Sequence, residues 1–202
     1  YENGIIKEKT GSYSDNKLDQ KWTYWADDGR KTEEVTYDKG VKNGSFLLWN
    51  MDNYKTIEGE YRTGEKHGTW TLWYEDGTLK AQESYASGEK DGQWIWWHPN
   101  GVKDKEGSYK TGVYHGIWTL WNNADHKKSE KTFVNGILDG MISMWYNNGN
   151  KEREGVIRGN EPEGSWVYYH ADGTEDFTFD YGSGLDRLRI AELEERDGVF
   201  YK

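Results

Sequence analysis

The sequence contains no cysteine and only two prolines among 202 residues. The absence of cysteine excludes disulfides, zinc–thiolate sites and cysteine nucleophiles together. Long hydrophobic runs are missing too: no stretch of about 20 apolar residues occurs, so we expect no insertion into a membrane. Hydrophobic residues make up 34% of the chain and charged residues 31%, a balance that by itself favours disorder.

Positive charge is also scarce, since 26 Lys and Arg face 36 Asp and Glu, for a net charge of -10. Nucleic acid and anionic membrane surfaces would repel such a chain, and we expect neither as a partner. Aromatic residues, in contrast, are abundant: 12 Trp, 15 Tyr and 5 Phe. Because each buried ring removes about 150–250 Å² from water, these residues can hold a thin fold together.

The aromatic residues recur with a period of 24 residues, without insertion or deletion. The first aromatic position holds Trp22, Phe46, Trp70, Trp94, Trp118, Ile142 and Trp166. Three residues after each of these stand Trp25, Trp49, Trp73, Trp97, Trp121, Trp145 and Tyr169, called here the Trp25 row. Seven copies in one register predict a repeat array.

Each repeat has the composition of a β-hairpin. Residues 69–74 have the aromatic and threonine content of a strand, and Asp76-Gly77 predicts a type I′ turn after it. A second strand leads to a glycine-rich link such as residues 64–68. The sequence therefore predicts an all-β fold, an elongated single-layer array of stacked antiparallel β-hairpins. About seven units, each advancing about 10 Å, should fill residues 1–184.

Residues 185–202 depart from the repeat and are expected to form a degenerate cap or the start of a further segment. A closing strand over residues 188–193 is preferred to a short helix after Ser183. The chain starts at Tyr1, without Met and inside a repeat, so we expect a processed chain or a piece of a longer one. That favours an exported or cell-surface location over a cytoplasmic one.

The period of two along a strand assigns side chains to faces. Trp70 and Leu72 share one face, and Trp73 lies on the other. In the second strand, glycines 48 residues apart (Gly11, Gly59, Gly107 and Gly155) should leave room for a ring from the adjacent strand. The opposite face carries Glu34, Glu58, Gln82, Glu106, Glu130 and Glu154, predicted to be wet and to share that face with the Trp25 row.

Two interpretations of the Trp25 row remain open at this stage: a packing ladder that shields the sheet, or an exposed aromatic surface for a ligand. A basic column of Lys7, Lys31, Lys55, Lys103, Lys127 and Lys151 is interrupted by Leu79. We interpret these lysines as solvated strand ends that discourage edge pairing, rather than as an anion-binding stripe.

No catalytic or metal-binding pattern occurs in the sequence. His67 and His115 occupy equivalent positions two repeats apart, about 20 Å in a linear array, too far to share one metal ion. Nucleophile-elbow, zinc-protease, phosphate-loop and EF-hand motifs are missing. We therefore expect no catalytic residue, no metal and no cofactor, and a chain that is not an enzyme.

The pattern Gly68-Thr69-Trp70-Thr71-Leu72-Trp73-Tyr74-Glu75-Asp76-Gly77, followed by Tyr85-Ala86-Ser87-Gly88, resembles the MORN repeat family. It is most similar to the bacterial variant found in YwqK-like antitoxin proteins. The resemblance covers about residues 1–184 and implies an elongated array of β-hairpins that serves as an interaction scaffold, in some members neutralising a toxin. The turns at Asp52-Asn53 and Ala124-Asp125 depart from it, because they lack the glycine.

These observations predict a non-catalytic scaffold for a protein partner, a basic one given the acidic net charge. The contact residues would be the Trp25 row together with Glu34, Glu58, Glu106, Glu130 and Glu154. Toxin neutralisation is the specific version that the resemblance implies. Two alternatives remain: a surface module that stacks glycans on the tryptophans, and a spacer within a longer protein.

Overall fold

The computed structural model describes residues 8–182, which form sixteen β-strands and, within that range, no helix. Two compact units divide the chain, described over residues 8–113 and 114–182. The first unit contains β1 (Lys9–Ser14), β2 (Lys17–Trp25), β3 (Lys31–Asp38), β4 (Val41–Trp49), β5 (Lys55–Arg62), β6 (Glu65–Trp73), β7 (Leu79–Ala86), β8 (Glu89–Lys90), β9 (Gly92–Trp97) and β10 (Lys103–Lys110). The second contains β11 (Val113–Trp121), β12 (Lys127–Val134), β13 (Ile137–Trp145), β14 (Lys151–Arg158), β15 (Glu161–Tyr169) and β16 (Glu175–Asp180).

Each unit is one antiparallel sheet whose strands lie in sequence order. The two-residue strand β8 pairs with the end of β7, and β9 continues the pairing with β7. The predicted all-β array of hairpin repeats is confirmed. The predicted closing strand over residues 188–193 lies outside the described residues. Residues 8–182 contain no helix with the length and apolar character needed to cross a membrane.

Two kinds of tight turn alternate along the sheet, and the sequence assigned type I′ to the wrong kind. After β6, the Gly77 N–H donates to the Tyr74 carbonyl at 3.0 Å, and Tyr74 N–H donates to the Thr78 carbonyl at 2.8 Å. Gly77 has a positive φ of 84°, but Asp76 does not, so this is a three-residue loop. The Asp76 carboxylate holds it by accepting the Thr78 N–H at 2.9 Å.

The type I′ geometry belongs to the glycine-rich link. Thr63 and Gly64 both have positive φ, 50° and 89°, as a type I′ turn requires. The same pair of positive values occurs one repeat earlier at Lys39 and Gly40. The link between repeats is therefore itself a two-residue hairpin turn. Consecutive strands are thus joined by tight turns both within a repeat and between repeats.

The side chains at the first aromatic position form the interior. They are between 2% and 9% exposed, and in each unit they lie on one side of its sheet, called here the core face. Three of the indoles lie flat against a glycine of the preceding strand: a Cβ built on Gly11, Gly59 or Gly155 would meet the ring of Trp22, Trp70 or Trp166 at 2.2–2.3 Å. The prediction that these glycines leave space for a ring of the adjacent strand is confirmed at these three sites.

The buried indoles also satisfy their own polar atom. The Trp70 Nε1–H donates to the Glu60 carbonyl at 3.2 Å, and Trp22, Trp94 and Trp166 make the same bond to Ser12, Ser84 and Val156. A buried indole N–H without a partner would cost free energy. This bond fixes the orientation of each ring over the strand behind it.

Candidate functional site

The side of the sheet opposite to the core face, called here the outer face, is shaped by a β-bulge that recurs beside the Trp25 row. Leu72 pairs with Ala81 but Trp73 pairs with Leu79, so Lys80 is an extra residue on the second strand. In an unbroken strand, residues three apart point to opposite faces. The bulge reverses that parity, and lysines and glutamates three residues apart consequently lie on the same face.

The lysine column and the glutamate column therefore form ion pairs with one another. The Nζ to carboxylate distances are 2.6–2.7 Å in Lys31–Glu34, Lys55–Glu58, Lys103–Glu106, Lys127–Glu130 and Lys151–Glu154. These lysines remain solvated, with side chains 34–42% exposed, but the prediction missed their ion pairs, because the bulge turns them towards the carboxylates. In the repeat without the lysine, Leu79 is matched by the neutral Gln82.

Glu34 is the most enclosed of the five glutamates, 6% exposed, so its predicted wet environment was wrong. Its carboxylate accepts from Lys21 at 2.8 Å and from Lys31 at 2.6 Å. Burial by itself raises the pKa of Glu34, but the hydrogen bonds from the two ammonium groups outweigh it, so the pKa is lowered overall. Glu34 stays ionised inside a small network of charges.

Glu154 connects the ion pairs to the Trp25 row. The Lys151 ammonium lowers the pKa of Glu154, against the effect of burial, and Tyr169 contributes in the same direction. The Tyr169 hydroxyl donates to the Glu154 carboxylate at 2.9 Å, and that bond raises the pKa of Tyr169. The row and the glutamates thus share the outer face, as the alternation of side chains predicted.

All seven members of the Trp25 row are half-buried. A lysine ammonium lies over three of the rings: Lys31 is 5.1 Å from the Trp49 ring centre, Lys55 is 5.6 Å from Trp73, and Lys127 is 5.4 Å from Trp145. Such cation–π contacts contribute about 0.5–1 kcal/mol at exposed sites. In these three repeats the same lysine therefore pairs with a glutamate and contacts a ring of the next strand.

The structure brings the predicted site residues together within each unit, but it assembles no catalytic constellation around them. Among residues 8–182 no three His, Cys, Asp or Glu side chains converge on a position for a metal ion. His98 is 3.5 Å from Asp104, and His170 is 3.3 Å from Asp176, each in its own hairpin. The outer face presents aromatic rings beside lysine–glutamate ion pairs. Such a surface is suited to binding rather than to catalysis.

Comparison with known families supports the repeat assignment. Residues 66–87 and 90–111, two adjacent repeats in the first unit, match the MORN repeat variant. No curated protein matches the chain. MORN repeats are in general non-catalytic repeat modules for protein or membrane interaction, and the family is typically non-enzymatic. The matched segments contain Trp70, Trp73, Trp94 and Trp97, so the match includes both aromatic positions.

Proposed function

We propose that this chain is a non-catalytic scaffold that binds a protein partner through the outer face of its units. The observation that carries the proposal is the Trp25 row, which is half-buried and has a lysine ammonium over three of its rings. Trp and Tyr are enriched among the residues that dominate binding energy at protein interfaces. A ring that is already held in place loses little conformational entropy on binding, which favours its use as an anchor.

The position of the lysines favours a protein partner over a glycan. A sugar that stacks on tryptophan needs a free ring face, and an ammonium group already lies over Trp49, Trp73 and Trp145. A protein side chain can instead contact the ring edges and the aliphatic stems of the lysines, which are themselves partly apolar. This geometry favours the protein partner.

A basic partner fits the charge of the molecule. The net charge of -10 would attract a basic protein and accelerate its association. The five glutamates of the outer face are already paired with lysines, so we expect charge to affect the association rate more than the contact energy. Neutralisation of a basic toxin, as in YwqK-like antitoxins, is the specific form of this proposal.

The test uses the immobilised chain to retain proteins from native lysate at low and moderate salt. The double variant Trp49→Leu and Trp73→Leu removes two rings and keeps apolar side chains. The matched control, Glu65→Gln with Glu89→Gln, changes exposed residues at hairpin turns of the same unit. We expect the wild type and the control to retain the same partner and the folded ring variant to lose it. Retention of nothing at either salt, or equal retention by all three proteins, would sink the proposal.

A further inference from the structure

The core face of the second unit carries a groove of about 490 Å³. Its lining comes from β12 to β15, with Asn160 and Tyr181 beside them, and most of it is apolar. The side chains that matter here are Lys131, Leu138, Ile142, Arg153, Ile157 and Trp166. Ligand sites in proteins are concavities of about 300–1,000 Å³ with apolar walls and a few placed polar groups. The groove fits that description.

In the first unit, the equivalent surface is closed by rings and lysines. Trp70 packs edge-on against Tyr85, with ring centres 6.5 Å apart. The Lys66 ammonium lies over both rings, 4.3 Å from Trp70 and 4.7 Å from Tyr85. Lys42 and Lys90 cover neighbouring rings in the same way. These side chains fill the space above the sheet.

Three periods of 24 residues later, smaller side chains occupy those positions. Ile142 stands where the first unit has Trp70, Ile157 stands where it has Tyr85, and Leu138 replaces the covering Lys66. Two rings and an ammonium are thereby exchanged for three aliphatic side chains, which leaves the groove open. Pro162, at the position of Lys90, extends the same change to the next strand.

The groove also differs in charge from the rest of the acidic chain. Lys131 lies at the position that Gly59 occupies under Trp70, and it lines the groove half-buried. Its ammonium makes no ion pair or hydrogen bond with any residue between 8 and 182. Arg153 lines the groove as well, and the single carboxylate in the lining belongs to the exposed Glu161. The Lys131 ammonium therefore gives this apolar concavity a positive group.

We propose that this groove binds a small amphipathic carboxylate, with its apolar body against Ile142 and Ile157 and its carboxylate against the Lys131 ammonium. The site lies on the core face and does not depend on the function proposed for the outer face. Each buried methylene of such a ligand should strengthen binding about fourfold. The charged hydrogen bond to Lys131 should contribute at least tenfold.

The experiment titrates the whole chain with decanoate below its micelle concentration and follows heat and the total tryptophan fluorescence, to which Trp166 contributes. Hexanoate and decyltrimethylammonium are the matched probes, one with a shorter chain and one with the opposite charge. We expect decanoate to bind more than tenfold tighter than either. No binding of decanoate, or equal binding of the cationic probe, would overturn the proposal.

Two variants locate the site. Lys131→Gln should weaken decanoate binding about tenfold. Ile142→Trp should abolish it by placing in the groove the indole found at most equivalent positions. Glu83 stands at the same repeat position as Lys131, and the indole that faces it on the next strand is Trp94. This pair shows that an indole is accommodated opposite a long charged side chain. Unchanged decanoate affinity in Lys131→Gln would refute the site. If Ile142→Trp does not fold, the comparison of Lys131→Gln with the wild type tests the proposal by itself.

Discussion

A methyl group added at Gly59 tests the packing on which the whole array depends. Its Cβ would lie 2.3 Å from the Trp70 ring, whereas carbon atoms in contact are about 3.5–4.0 Å apart. The ring, which is 2% exposed and surrounded, must move by more than about 1 Å. That movement also breaks its hydrogen bond to the Glu60 carbonyl.

Three contributions set the expected change in the free energy of unfolding. Overpacking costs about 1–3 kcal/mol. The lost indole hydrogen bond adds about 1 kcal/mol. Replacing a strand glycine by alanine stabilises the fold by roughly 0.5–1 kcal/mol, because alanine loses less backbone entropy on folding. Gly59→Ala should therefore lower the free energy of unfolding by about 1–3 kcal/mol. Urea unfolding followed by circular dichroism and tryptophan fluorescence measures it, with Thr69→Ala, an exposed change on the Trp70 strand, as the control.

The natural pair Val35 and Phe46 supplies a rescue experiment. There a β-branched residue faces a smaller ring, and Val35 is fully buried. Gly59→Val combined with Trp70→Phe should recreate that pair and be less destabilised than the sum of the two single variants. Gly59→Ala as stable as wild type, or strictly additive effects in the double variant, would refute the argument that glycine is required by the indole.

Two further predictions concern the ion pairs of the outer face. The pKa of Glu154 is lowered in the folded chain, so its contribution is present at neutral pH and is lost as pH falls below the unfolded value of about 4.3. The melting temperature of Glu154→Gln should thus be below wild type at pH 7 and converge with it in acid; a constant difference would contradict the ion pair. Glu34→Gln should lower the free energy of unfolding by more than about 1 kcal/mol, because it removes the buried carboxylate that pairs with two lysines. Glu58→Gln, at a more exposed ion pair, should lower it by less than about 0.5 kcal/mol. Urea unfolding of both variants compares them, and equal costs would show that burial of Glu34 is unimportant.

The sequence was sufficient to predict features that depend on periodicity. Side chains alternate strictly along a strand, so Trp70 and Trp73, three residues apart, had to lie on opposite faces. Glycine beside an aromatic column likewise predicted a ring packed against the backbone, and Gly59 under Trp70 confirms it. Both inferences use only local geometry, which one repeat shares with the next.

What the sequence did not reveal depends on a break in that geometry. Lys31 and Glu34 are three residues apart, so simple alternation separates them, and only the bulge at Thr32 brings them together. The extra residue of this bulge differs from repeat to repeat, Thr32 in one and Lys80 in another, so its identity does not mark the bulge. One signal was present in the sequence: the repeat with Leu79 in place of lysine also has Gln82 in place of glutamate. Charge lost at both positions together indicates that the two side chains are in contact.

A repeat with a long side chain facing its indole also has an irregular strand. Among the described strands, the one that carries Trp94 is divided, into β8 and β9, and its repeat has Glu83 where Gly59 lies under Trp70. Repeats with Gly59 or Val35 keep the following strand intact, the first with a full indole and the second with a smaller ring. Since each repeat contacts only its neighbours, such a mismatch is absorbed locally. The same tolerance allows Ile142 to replace an indole in the second unit, so the array can open a groove in one repeat while the others keep their packing.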